Sequence, residues 1–118
     1  MDNEVYSFAL KTTLDEMLET CPDIKSALAL GENLELITVD QNTPEKSITR
    51  AIESLQEMLK KAEAIGGVED ITIRGQNGRL NVSHMNEIYL VTVTSGKADP
   101  NYVKTVINVI VPTVLKLL

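Results

Sequence analysis

The stretch ITIRGQNGRLNVSHMNEIYLVTVTSG, residues 71–96, contains three strand-like segments in quick succession. In the first two segments apolar residues alternate with polar ones, which is typical of strands with one buried and one solvated face. The third segment is apolar at consecutive positions from Ile88 to Val91, and this favours a strand in the middle of a sheet. The links between the segments are so short that neighbouring strands must run antiparallel.

Two more strands and a helix precede this stretch. Apolar residues spaced three and four apart predict an amphipathic helix over residues 3–21, which Pro22 ends. Two short apolar runs, residues 24–30 and 34–39, predict strands joined by the hairpin loop Gly31-Glu32-Asn33, in which glycine can take a positive φ. Small residues on one face of the first strand, at Ala27 and Ala29, predict that a helix packs closely there.

The helix over residues 43–65 is the most clearly specified element. Thr43 is its predicted N-cap, and Pro44 suits the first helical position. One apolar stripe runs along its whole length with charged residues opposite, and Glu57 and Lys61 form a favourable pair four residues apart. Gly66 and Gly67 follow and predict a left-handed C-terminal cap.

The last helix is predicted to begin with Asp99 as its cap and Pro100 in its first position. Pro112 lacks a backbone N–H and clashes with the carbonyl four residues earlier, so we expect a kink, or a break followed by a short turn over residues 113–118. The order of elements is αββαβββα, an α+β sandwich, and we predict one domain over residues 1–118.

Composition narrows the possible partners. The chain of 118 residues carries a net charge of −6, which repels phosphate backbones, and its basic residues form no patch, so we expect no nucleic-acid partner. No apolar run approaches the ~20 residues needed to cross a bilayer, and we expect neither membrane insertion nor a secretory signal. The lone Cys21 excludes an intramolecular disulfide and suits a small buried residue in the reducing cytoplasm.

No set of residues predicts an active site. His84 is the single histidine, and at strand spacing with Leu80 and Val82 it is better explained as a partly buried structural residue than as a base or ligand. The glycines at 66–67 and 75–78 precede no GKS/T motif, so they are interpreted as a cap and a turn. We therefore predict no catalytic, cofactor or metal site and a protein that is not an enzyme.

The order of elements and the meander of residues 71–96 resemble the roadblock/dynein light chain family over nearly the whole chain. The stretch CPDIKSALALGEN, residues 21–33, is similar to the family's turn, strand and glycine turn. Family members often carry an acidic residue and glycine together at that turn, whereas this chain has Gly31-Glu32-Asn33. The resemblance implies a roadblock or profilin-like architecture: a five-stranded antiparallel sheet of order 2-1-5-4-3, with the second helix on one face and the other two helices on the opposite face.

The resemblance also implies where partners bind. The third strand becomes an open sheet edge, through which two copies of the chain, or this chain and a roadblock-like paralogue, would form a dimer. The implied partner of the paired second helices is a small Ras-like GTPase or a related assembly. The predicted edge residues are Ile71, Thr72, Ile73 and Arg74, and the predicted positions on the helix are Ile48, Arg50, Ala51, Glu53, Ser54, Glu57, Met58 and Lys61.

The sequence also allows two alternative functions. A ligand sensor of PAS or GAF type has similar length and class, and a buried cavity of roughly 300 Å³ or more would favour it. We expect that space to be filled by Leu14, Leu18, Leu28 and Leu90. The third possibility is a structural subunit of a larger complex that docks through the apolar tail VLKLL, residues 114–118.

Overall fold

The computed structural model describes residues 3–85 and 87–117. The helices are α1 (Asn3–Thr20), α2 (Glu45–Ala62) and α3 (Pro100–Leu117), and one 3₁₀ turn (Glu63–Ile65) follows α2. The strands are β1 (Ile24–Gly31), β2 (Leu36–Val39), β3 (Asp70–Arg74), β4 (Gly78–Met85) and β5 (Ile88–Ser95). The predicted order αββαβββα is confirmed.

The five strands form one antiparallel sheet in the order β2-β1-β5-β4-β3. This is the order that the roadblock resemblance implied. The two strands predicted to be interior, β1 and β5, lie next to each other, with Leu28 opposite Val91. Because both of their faces are covered, apolar residues occupy consecutive positions along them.

Helices cover both faces of the sheet, two on one side and one on the other. α1 and α3 pack on the face that carries Ala27 and Ala29, and both alanines are buried there, as predicted. On the opposite face, Leu28 packs against Leu55 and Leu59 of α2. The expectation that Leu28 shares a space with Leu14 is therefore wrong, because successive strand residues point to opposite faces.

The start of α2 differs from the prediction. Pro44 occupies the cap position, with φ −66° and ψ 138°, and no side chain caps the helix. Thr43 instead donates its hydroxyl to Oδ1 of Asp40 at 2.6 Å. The carboxylate of Asp40 is buried and also accepts hydrogen bonds from the backbone N–H groups of Ala27 at 3.0 Å and Asn42 at 3.1 Å. A hydrogen bond from a hydroxyl to a carboxylate is stronger than one between neutral groups, which explains why the Thr43 hydroxyl donates to Asp40.

The first hairpin also differs from the prediction, because β2 begins at Leu36 and the positive φ belongs to Leu34 rather than to Gly31. Leu34 has a φ of 67°, a conformation that costs a non-glycine residue about 1 kcal/mol. Its side chain is buried against α2 and its carbonyl accepts a hydrogen bond from Nε2 of Gln56 at 2.6 Å. Burial of the leucine side chain offsets the backbone strain.

The other helix ends follow the predictions, except at Pro112. Gly66 takes the left-handed conformation after the 3₁₀ turn, with φ 98°, and Asp99 caps α3 by accepting the N–H of Asn101 at 2.9 Å. The break predicted at Pro112 is absent, since α3 continues to Leu117. The contacts of the tail side chains lie outside the described residues. No described helix has the length and apolar character required to span a bilayer.

Candidate protein–protein interface

Strand β3 is the outermost strand at one end of the sheet. Two backbone hydrogen bonds mark the two ends of the ladder between β3 and β4. The carbonyl of Glu69 accepts the N–H of His84 at 2.8 Å, and the N–H of Gly75 donates to the carbonyl of Gly78 at 2.8 Å. Since hydrogen-bonded pairs alternate along an antiparallel ladder, the odd-numbered residues of 69–75 direct their backbone groups toward β4.

The even-numbered residues of β3 direct their backbone groups away from the sheet. These residues are Asp70, Thr72 and Arg74, and all three are exposed. Within the part of the chain that the structure describes, no strand pairs with this side of β3. Of the four predicted edge residues, Thr72 and Arg74 thus carry the free donors and acceptors, whereas Ile71 and Ile73 bond inward.

The side chains of Ile71 and Ile73 add an apolar strip beside this edge. They lie on the α2 face of the sheet, where Ile73 is opposite Leu80, and Leu80 is opposite Val93. Ile73 is 47% exposed and Val93 is 39% exposed. An apolar strip next to unpaired backbone groups is the combination that a second polypeptide covers most favourably.

Helix α2 buries one face and leaves the other free. Leu55 and Leu59 are buried, and Ala51 and Met58 are half-buried at the margin of that face. The ion pair predicted between Glu57 and Lys61 is present, at 3.2 Å. The other predicted partner residues on the exposed face are Arg50, Glu53 and Ser54. Ile48 lies in α2, but its side chain is outside the described residues.

A side-chain hydrogen bond from Gln56 indicates how α2 is oriented on the sheet. Gln56 reaches Leu34 in the β1–β2 hairpin, so this flank of the helix faces the β2 end. At 3.6 residues per turn, Ser54 and Met58 lie on the opposite flank. Met58 packs against the same apolar cluster as Ile71 of β3 and Leu80 of β4.

A groove of about 490 Å³ lies on the other face of the sheet, between β3, β4 and the first turns of α3. It is open to solvent, because lining residues such as Thr72 and Lys104 are exposed. It differs from the enclosed cavity expected of a ligand sensor, since Leu14 and Leu90 fill the space beneath the helices. The sequence patterns did not predict this groove, although polar residues at alternate positions of three strands were a signal for it.

The side chains of His84 and Cys21 are held by packing contacts with their neighbours. The ring of His84 stacks on Tyr89 at 4.3 Å, and its Nε2 lies 3.7 Å from Oε1 of Glu32. Cys21 is a free thiol buried in the core, as predicted. Among the described residues, no three histidine, cysteine or carboxylate side chains come together in a way that could hold a metal ion.

Solved structures share this fold. The roadblock/LC7 domain from Streptomyces avermitilis has a TM-score of 0.76 at 14% identity, covering 91% of this chain and 95% of that one. MglB from Myxococcus xanthus has a TM-score of 0.73 at 16% identity, covering 94% and 88%. Profilin from Schizosaccharomyces pombe has a TM-score of 0.65 at 10% identity, covering 91% and 97%.

By sequence, the chain matches no protein-family profile and no curated protein. Identities this low show the fold alone. On that level the expectation is confirmed, because the chain has the roadblock and profilin-like α+β architecture.

Proposed function

We propose that this chain is a dimeric, non-enzymatic regulator or scaffold that binds a small Ras-like GTPase, or a related assembly, through its paired α2 helices. The observation that carries the proposal is the free outer edge of β3. It exposes the backbone groups of Asp70, Thr72 and Arg74 beside an apolar strip, in a fold shared with roadblock domains. The free thiol of Cys21 favours the reducing cytoplasm as its location.

The charges on β3 select one register for the dimer. When two copies pair about a two-fold axis with Thr72 opposite itself, Asp70 lies opposite Arg74 of the partner subunit. The same register places Ile71 opposite Ile73 of the partner subunit on the α2 face. A shift of the pairing by one step in either direction loses both ion pairs. Cross-strand pairs of opposite charge each contribute roughly 0.2–1 kcal/mol, so this register is favoured.

Such a dimer would carry one continuous sheet with the two α2 helices on the same face. The partner would then contact the exposed residues Arg50, Glu53, Glu57 and Lys61. A protein of this kind needs no catalytic residue of its own, because an activator can act by positioning the catalytic groups of the GTPase. The proposed role is therefore compatible with a regulator that performs no chemistry.

Native mass measurement tests the dimer. The 13.0 kDa chain should behave as a dimer, and Arg74→Asp alone should dissociate it, because each Asp70 would then face a carboxylate. Asp70→Arg alone should do the same with two cations. The double variant Asp70→Arg with Arg74→Asp should restore the dimer. A wild-type chain that stays monomeric at high concentration would refute the proposed pairing.

Capture experiments test the GTPase partner. The immobilised chain should retain a small GTPase from the same genome in one nucleotide state, GTP or GDP, more strongly than in the other. A dimer that captures no GTPase in either state would instead support the structural-subunit alternative. The dimer and the GTPase partner can therefore be refuted independently of each other.

A further inference from the structure

The groove on the α3 face of the sheet has the composition of a binding site. Its floor consists of the polar side chains of Thr72, Asn81 and Ser83, while Val103 and Ile107 form part of its helical wall. α1 packs on β1 and β2, leaving this end of the sheet open beside α3. Its volume of about 490 Å³ lies within the range of pockets that hold small molecules.

The charge of the groove is opposite to that of the chain. Among the described residues, Arg74, Arg79 and Lys104 line it together with a single carboxylate, that of Asp70, whereas the whole chain carries a net charge of −6. Among the described residues, none of the three cations forms an ion pair with a carboxylate. A local concentration of unneutralised positive charge on an acidic protein favours an anionic ligand.

Arg79 is held in position before any ligand arrives. Its Nη1 donates to the carbonyl of Ala98 at 2.6 Å, and its Nη2 donates to the carbonyl of Gly96 at 3.3 Å. Both acceptors are neutral, so the guanidinium keeps its charge and still has N–H groups available. Less rotamer entropy is lost when a ligand binds a side chain that is already fixed.

The other lining residues restrict the class of anion. The described residues that line the groove include no aromatic side chain, so a flat base would find none of them on which to stack. The hydroxyl and amide groups of the floor match the hydrogen-bonding needs of sugar hydroxyls. An extended acidic peptide would have to pass Asp70 at the rim, whereas a small ligand can avoid it.

We propose that this groove binds a small phosphate ester of a sugar or another polyol, with Arg79 and Lys104 at the phosphate and the polar floor at the hydroxyls. Arginine and lysine are the side chains that proteins use most for phosphate. In the proposed dimer Asp70 and Arg74 would pair across the sheet edge, so the phosphate is assigned to Arg79 of β4 and Lys104 of α3, which lie outside that edge.

Titrations with glucose 6-phosphate, glucose and inorganic phosphate test the proposal. Binding is measured by calorimetry and by the shifts of amide NMR signals. Glucose 6-phosphate should bind saturably and shift the amides of Asn81 and Lys104. It should bind at least about tenfold more tightly than either glucose or inorganic phosphate, since each of these lacks one set of contacts. Equal affinity for the ester and for phosphate would overturn the polyol part, and no saturable binding would overturn the site.

Lys104→Gln should weaken binding of the ester about tenfold, the effect of losing one charged contact. Lys60→Gln is the matched control, since Lys60 is also exposed but lies on α2, on the other face of the sheet. It should change the affinity less than about twofold. Equal losses of affinity in the two variants would show general charge attraction and overturn the site. The site would also be overturned if the protein were retained on vesicles that carry phosphorylated inositol lipids but did not bind the soluble ester.

Discussion

The hydroxyl of Thr43 donates a hydrogen bond to Oδ1 of Asp40 at 2.6 Å, and it does not accept an N–H group at the start of α2. Ser26 of β1 joins the pair, with its hydroxyl oxygen 2.8 Å from that of Thr43. Asp40 also accepts the N–H of Ala27. One buried carboxylate thus fastens the segment between β2 and α2 to β1, and thereby positions the helix proposed to meet a partner.

Replacement of Asp40 should destabilise the chain strongly. Asp40→Ala removes the acceptor of the buried N–H of Ala27 and of the half-buried hydroxyl of Thr43, and we expect a loss of about 3 kcal/mol in the free energy of unfolding. Asp40→Asn keeps one oxygen and should cost less. Urea unfolding measures both. Equal stability of the alanine variant and the wild type would show that the carboxylate is not the fastening we infer.

Gly78 should tolerate no side chain. A β-carbon at this position would lie 2.6 Å from the carbonyl oxygen of Thr94, and backbone would have to move. Gly78→Ala should lower the free energy of unfolding by about 2 kcal/mol. Gly75→Ala is the control in the same turn, because its nearest contact is 3.4 Å. We expect it to cost less than about 1 kcal/mol, and a reversed order would contradict the β4–β5 approach seen here.

Proline substitutions should have different effects at residues of β3 that bond outward and at residues that bond to β4. Thr72→Pro removes an N–H that points away from the sheet, so the chain should remain folded but lose the proposed dimer. Ile73→Pro removes a bond to β4 and should cost about 3 kcal/mol of stability. Circular dichroism with native mass measurement distinguishes these outcomes. A folded, dimeric Thr72→Pro variant would exclude β3 as the dimer edge.

Charge reversal on α2 should affect partner binding more than folding. Glu57→Lys places a second cation beside Lys61, and because both side chains are largely exposed the stability should change by about 0.5 kcal/mol or less. Capture of the proposed GTPase should fall about tenfold through the lost charge complementarity.

Glu16→Lys is the control for that variant, with the same charge change at an exposed position of α1 on the opposite face. It should leave capture of the GTPase nearly unchanged. Comparable losses in both variants would place the partner elsewhere or attribute its binding to net charge.

Periodicity predicts the helices and strands, whereas the full order of the sheet was implied by the resemblance to roadblock proteins. The apolar stripe that ends at Gly66 defines α2, and alternation along residues 71–96 defines the outer strands. Apolar runs on both faces identify β1 and β5 as interior strands. These signals are local, since each depends on residues within one or two turns or along one strand. The Asp99 cap belongs to the same class, because donor and acceptor are two residues apart.

Other features were decided only in three dimensions. Asp40 meets Ala27 across 13 residues of chain, and the same carboxylate accepts the hydroxyl of Thr43, the predicted cap residue. Leu34 adopts a positive φ because its side chain gains burial against α2. The groove combines β3, β4 and α3, and its charge appears only where these elements meet. Contacts between distant segments have no period along the chain, so no pattern of neighbouring residues could predict them.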